Sequence, residues 1–348
     1  MTTCRVSIVI KALNEEDNIC AAIESSLQAV AEVGGEVILA DSASTDRTVE
    51  LASRYPIRIV QLANAGERCC GVGPQLGYQH SFGEYVYILD GDMQMLRGFL
   101  PQALVFLAQH PEVAGVGGRL VELNNESLEY LERAARAHAH LKPGEVDRID
   151  GGGLYRRRAI DEAGYFSDRN LHSYEEFDLA VRLRSLGWKL WRLPVKAVSH
   201  YGHDAPPYQL LLRRWRSSYV CGLGELVRAA AGQPRLKLVL RGTRELRLYA
   251  GVIAWWIALA IAALWPAPAA LRAAAFTVLA IAPVALMLWR KGSLTRATYS
   301  VVSWCFHAAG LLRGLLRPRR APHEPIASRV LQEPPPQSEP RTRRSLNA

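Results

Sequence analysis

Carboxylates recur in this chain at positions where an apolar run has just ended. Asp90-Gly91-Asp92 directly follows the run Tyr85–Leu89. Two carboxylates one residue apart in a tight turn face a single divalent ion, and Gly91 lets the backbone bend between them. An Asp-x-Asp arises by chance about once in a chain of this size, so its position after a strand is what gives the motif weight. Asp41-Ser42-Ala43-Ser44-Thr45-Asp46 follows a second run, with Asp46 placed to cap the next helix and Asp41 to accept a ligand N–H. Asn14-Glu15-Glu16-Asp17 follows a third run and opens a helix, where capping explains much of the composition.

Farther along, Glu175, Glu176 and Asp178 open a helix whose N-terminus stabilises negative charge. On a helical period of about 3.6 residues, Glu175, Asp178 and Arg182 share a face while Glu176 points away from them. One carboxylate is then fixed by the helical Arg while another reaches into a cleft. Asp150-Gly151-Gly152-Gly153 permits close backbone approach to a ligand, or serves as a flexible connection. Arg156-Arg157-Arg158 faces phosphate or is a solvated charge run. The cysteines at 4, 20, 69, 70, 221 and 305 form no C-x-x-C pair, so free thiols of a reducing compartment are expected.

The elements that must position these groups are short. Strands are expected at Val6–Ile10, Glu36–Ala40, Ile57–Val60 and Tyr85–Leu89, with helices at Glu15–Ala31 and Thr48–Arg54 between them. This alternation argues an α/β domain with a mainly parallel sheet covered by helices on both faces. Ligands bind beyond the carboxyl ends of such strands. Lys11–Glu15, Asp41–Asp46 and Asp90–Asp92 therefore belong to one candidate site.

The chain has 348 residues, 49% of them hydrophobic, and 42 Lys+Arg against 33 Asp+Glu, for a formal charge of +9. That composition excludes a disordered or collagen-like chain, and the positive excess calls for an anionic partner. Much of the excess lies beside apolar segments, where a bilayer explains it better than nucleic acid. Over 204–246, Tyr208, Leu211, Leu212, Trp215 and Tyr219 mix with Arg213, Arg214 and Arg216, as in amphipathic helices on an anionic membrane. Leu248–Leu271 and Ala273–Trp289 carry no charge, giving expected spans over about 248–268 and 273–289. Arg244 and Arg247 precede the first and Arg290 and Lys291 follow the second, with only Arg272 near the turn. The positive-inside rule puts both basic ends, and the N-terminal domain, in the cytosol. The first residues lack a signal-peptide pattern, in agreement. Residues 297–316 fit an interfacial or re-entrant helix slightly better than a third span. The proline-rich tail 317–348 is expected to be disordered.

Taken in order, strand-Asn14-Glu15-Glu16, Asp41-Ser-x-Ser-Thr-Asp46-x-Thr48, Gly83-Glu84-Tyr85-x-x-x-Leu89-Asp90-x-Asp92 and Glu175-Glu176-Phe177-Asp178-Leu179-x-x-Arg182-Leu183 resemble the family 2 glycosyltransferases. The resemblance covers residues 1–203, from about residue 4. It implies a GT-A, Rossmann-like nucleotide-sugar-binding domain, an inverting reaction and a divalent cation, Mg²⁺ or Mn²⁺. By that resemblance Asn14 and Glu15 line the nucleotide pocket, Asp41 contacts the base, and Asp90 and Asp92 handle ribose and the metal-bound pyrophosphate. Glu176 is the implied catalytic base beside Glu175, Gly152 lies in the substrate turn, and His200 approaches the metal. The sequence departs from the family pattern at Lys11-Ala12-Leu13, where Pro-Thr-Tyr is usual, and at Pro74-Gln75, where Arg68 is a possible substitute from the loop.

The implied function is sugar transfer from a nucleotide-diphosphate sugar to a hydroxyl of a lipid-linked or glycan acceptor, as in polysaccharide or glycolipid biosynthesis. The expected location is a multi-pass anchor in an inner or plasma membrane, the catalytic domain being cytoplasmic. Two alternatives remain open on the residues. One is a polyprenyl-phosphate glycosyltransferase, to which Asp90-x-Asp92-Met93-Gln94 is similar. The other is a membrane-bound scaffold that binds nucleotide-sugar without turnover.

Overall fold

The computed structural model describes residues 4–123, 141–200 and 206–335. Strand β1 (Val6–Ala12) runs parallel to β2 (Gly35–Asp41) on one side and to β4 (Tyr85–Asp90) on the other, with β3 (Arg58–Leu62) parallel beyond β2. Successive residues of β1 feed two cores. Val6, Ile8 and Ile10 pack against the Ile19–Val33 and Phe99–Gln109 helices, and Val9 packs with Ile38 and Val60 under the Val72–Gln79 and Glu175–Ser185 helices. A strand buried on both faces has no polar side, which is why this run reads without alternation.

Parallel pairing dominates only that half. β8 (Gly153–Arg156) pairs antiparallel with β4 and with β6 (Val113–Glu122), while β6 runs parallel to β9 (Lys189–His200). β5 (Met93–Met95) and β7 (Gly144–Val146) join β9 antiparallel. The sheet is therefore mixed rather than mainly parallel. β5, β7 and β8 have only 3, 3 and 4 residues, too few for a periodic pattern to announce them.

The basic stretch forms helices Pro207–Arg216, Gly222–Ala230 and Leu236–Gly242. The last two dock on the outer side of the Glu175–Ser185 helix, where Phe177 and Val181 pack with Leu223, Leu226 and Val239, and the first sets Tyr208 and Trp215 against Tyr299 and Phe306. Among the described residues, two helices are long and apolar enough to cross a membrane, Glu245–Leu264 and Ala269–Lys291. Both expose large apolar side chains, including Ile261, Leu264, Val278 and Trp289. Leu294–Leu316 is one continuous helix. A Cβ on its Gly310 would lie 2.4 Å from the Val220 carbonyl oxygen, and one on Gly314 2.1 Å from that of Cys221. Gly310 and Gly314 thus form a packing face of this helix.

The tail corrects an expectation. Residues after Leu316 fold back over the domain, Ile326 is buried in a domain core, and Ser328–Gln332 forms β10, antiparallel to β3 at the sheet edge. Edge pairing uses backbone groups, so a polar, proline-rich sequence gives little sign of it. Residues 336–348 of the expected disordered tail lie outside the described residues. All six cysteines are free thiols.

Candidate active site

The loops after β1 and β2 are knitted together by side chains. Ser44 Oγ accepts from the Asn14 N–H (2.9 Å), Thr48 Oγ1 from Glu15 (2.7 Å) and Asp46 Oδ2 from Glu16 (3.1 Å). In return the Thr45 N–H donates to Asn14 Oδ1 at 2.8 Å. Asp46 also accepts from the Thr48 N–H and hydroxyl, the capping expected of it. The helix after β1 begins at Ile19, later than Glu15, and the backbone N–H groups of residues 14–16 are bound instead by side chains that follow β2. Asp41, fully buried, accepts from the Ser44 N–H (3.0 Å), the Ser44 hydroxyl and Gln61 Nε2 (2.9 Å). Arg68 donates to the Ser42 carbonyl at 2.8 Å and to that of Ala43. These contacts fix the shape of the loop at the end of β2.

Beside it, Lys11 projects from the end of β1 into a group of carboxylates. Its Nζ lies 2.9 Å from Asp90 Oδ1 and 3.4 Å from Glu175 Oε1. Burial pulls the ammonium down, but Asp90, Glu175 and Glu176 together hold it well above its ordinary range. Glu175 and Glu176 line one pocket with Lys11, Gly152 and Ser167. Burial pushes the Glu176 carboxyl well above the usual range, Asp150 pushes it further, and Lys11 pulls it back. Gly152 has φ of 90°, and a Cβ there would meet Tyr87 Oη at 2.7 Å, so the turn admits only glycine at this closeness. Asp178 is the carboxylate that the helical Arg fixes: Arg182 Nε donates to it at 2.8 Å, leaving both glutamates to the cleft.

A second group lies after β4. Asp92 Oδ2 stands 3.2 Å from His200 Nε2, and His200 Nδ1 is 2.7 Å from Glu122 Oε2. The hydrogen bond to Asp92 holds this imidazole up, to about 9, against the effect of burial. Burial and then the Asp92 charge push Glu15 up to about 7. No third His, Cys, Asp or Glu joins a metal-holding group among the described residues. A carboxylate and an imidazole converge here, and a second carboxylate orients the far ring nitrogen, so a divalent cation would take the place of the Nε2 proton between His200 and Asp92.

The structure thus gathers the predicted residues into two neighbouring groups. Asn14, Asp41 and Arg68 shape the loop at the end of β2, while Glu15, Asp90, Asp92, Gly152, Glu175, Glu176 and His200 surround Lys11 or the Asp92–His200 pair. The arginine run behaves otherwise: Arg156 and Arg157 donate to the Val113 and Gly83 carbonyls, at 2.8 and 2.6 Å, and are structural. Gln75, where the family pattern is broken, accepts the Phe166 and Ser167 N–H groups at 2.9 and 3.0 Å. Gln61 and Glu122 escape sequence reasoning as site residues. Lys11 lies in the post-strand segment expected at the site, and its pairing with Asp90 and Glu175 is what the structure adds.

Comparison with known proteins bears on the N-terminal part of the chain. The model for "Glycosyl transferase family 2" matches residues 7–164. Over those residues the chain carries a family 2 glycosyltransferase domain. It is similar to a probable glucomannan 4-beta-mannosyltransferase of Arabidopsis thaliana, 28% identical over 166 residues, or 44% of this chain and 30% of that protein. It is also similar to an undecaprenyl-phosphate 4-deoxy-4-formamido-L-arabinose transferase of Pectobacterium carotovorum, 31% identical over 119 residues, or 32% of this chain and 36% of that one. The match therefore spans about a third of these relatives' own lengths. Among solved structures, a mannosyltransferase from Pyrobaculum calidifontis, in complex with GDP-Man and Mn²⁺, superposes with a TM-score of 0.59 at 20% identity. It covers 90% of this chain and 87% of that one, and shows that the glycosyltransferase domain has the GT-A fold.

Proposed function

We propose that this chain is an inverting glycosyltransferase that moves a sugar from a nucleotide-diphosphate sugar to a hydroxyl of a membrane-associated acceptor, lipid-linked or glycan. The observation that carries this reading is the Glu175–Glu176 pair, set with Lys11 and Asp90 at the carboxyl ends of β1 and β4. Glu176 takes the proton of the acceptor hydroxyl as it attacks the anomeric carbon, and a single in-line displacement inverts the configuration. Lys11 holds Glu175 and Asp90 in place and keeps Glu176 easier to ionise. Asn14, Asp41 and Arg68 form the nucleotide pocket, and Gly152 lets the backbone come close to the substrate. Asp92 and His200 would hold a divalent cation, Mg²⁺ or Mn²⁺, which supplies charge stabilisation to the departing diphosphate. Asp90 has one oxygen engaged by Lys11 and serves beside them.

The two apolar helices would anchor the chain in an inner or plasma membrane, with the basic helices 207–242 on its cytoplasmic face. Release of nucleoside diphosphate from a panel of UDP-, GDP- and dTDP-sugars by the detergent-solubilised chain, with Mg²⁺, Mn²⁺ or EDTA, tests the reading. Metal-dependent turnover of one donor supports it, and absence of both turnover and binding across the panel contradicts it.

A second reading is favoured by the undecaprenyl-phosphate relative: a polyprenyl-phosphate acceptor. A phosphate is already ionised and needs no base, so Glu176→Gln leaves such a reaction near normal.

A further inference from the structure

The segment after the last apolar helix reaches the proposed nucleotide pocket by two hydrogen-bonded routes. In the first, Arg320 Nη1 donates to Glu67 Oε1 at 2.8 Å, and Arg169 grips the other oxygen of that carboxylate. Glu67 closes the turn Ala65–Glu67, and the next residue, Arg68, holds the carbonyls of Ser42 and Ala43 in the loop after β2. Ala43 sits in that loop with φ of 61°, a conformation that costs a residue with a side chain and must be held from outside. In the second route β10 pairs with β3, placing Arg329 opposite Gln61, and Gln61 donates to Asp41.

The segment is itself tied down along its length. Arg319 pairs with the fully buried Asp168 at 2.9 Å, Asn170 exchanges two hydrogen bonds with Arg320, and Gln79 exchanges two with Ile326. Edge protection alone accounts for β10. It does not account for an arginine aimed at the carboxylate beside Arg68.

We propose that residues 319–332 are positioning elements of the donor site: through Glu67–Arg68 and through Gln61 they set the loop Asp41–Asp46 in the shape that binds the nucleoside diphosphate. This rests on the function proposed above. The segment also joins the membrane-side helix Leu294–Leu316 to the nucleotide pocket, so the two ends of the molecule share one brace.

The test uses the full chain in detergent, with UDP and GDP as probes by calorimetry in the presence of Mn²⁺, and compares wild type with Arg320→Ala, Arg320→Lys and Ile326→Asp. Arg320 is on the surface, so its replacement leaves the fold intact, and thermal unfolding checks this for each variant. Arg320→Ala and Ile326→Asp are expected to weaken nucleotide binding at least about fivefold, with Arg320→Lys in between. In turnover, donor KM rises while kcat holds. Variants that stay folded and bind as tightly as wild type overturn the inference alone. A wild-type chain that binds neither nucleotide overturns the proposed function and the inference with it.

Discussion

As the proposed base, Glu176 must shed its own proton before it can take one from an acceptor, and its surroundings make that harder. Burial and Asp150 raise its pKa well above the ordinary 4.5. The acid limb of the pH–kcat/KM profile is therefore expected at clearly higher pH than a free carboxylate gives. Lys11→Met removes a charge that pulls the value down, so the limb moves to still higher pH; an unmoved limb contradicts the role given to Lys11. The stability sign follows from the same shift. A raised folded-state pKa means the contribution is full below the unfolded value near 4.5 and is lost as pH rises through the folded one. Glu176→Gln is thus expected to be at least as thermostable as wild type at neutral pH, by calorimetry, while losing activity. At this scale the acidic residues were legible because post-strand carboxylates and a helix-opening pair have few structural uses. Gln61, Glu122 and the partner of Lys11 were not, since each acquires its neighbour only when distant strands come together.

The Glu175–Ser185 helix owes its placement to what lies on either side of it. Leu179 and Leu183 face the sheet core, and Phe177 and Val181 face the basic helices. Tyr174, at φ of 68° immediately before Glu175, donates its hydroxyl to Glu245 at 2.7 Å, tying the catalytic helix to the start of the first apolar one. The Leu294–Leu316 helix is seated just as closely. Gly314→Val places a branched side chain where a Cβ already comes within 2.1 Å of a carbonyl oxygen. It is expected to destabilise by about 1–3 kcal/mol or more, since overpacking forces backbone to shift. Equal unfolding temperatures for wild type and variant would contradict that packing. Long elements of the parallel half were legible from apolar runs of the right length. The antiparallel additions and β10 were not, because strands of three to five residues owe their form to the strands they pair with.

Across the whole molecule, a GT-A domain rests on three basic helices and two apolar ones, and the chain then returns to brace the domain. Exposed side chains such as Leu264 and Trp289 would leave a large apolar surface in water, which a bilayer covers. The chain is therefore expected to stay in the membrane fraction through high-salt and alkaline carbonate washes. Release by either wash contradicts a spanning anchor and leaves only surface attachment.

The most direct test of the account measures transfer, with anomeric configuration read by NMR, from the active donor to a membrane-extracted acceptor by wild type and Glu176→Gln. The account predicts an inverted product, and a loss of kcat of about 10²–10⁴-fold in the variant with nucleotide binding retained. A retained configuration, or a variant that turns over at the wild-type rate, would contradict Glu176 as the base of an inverting hydroxyl transfer.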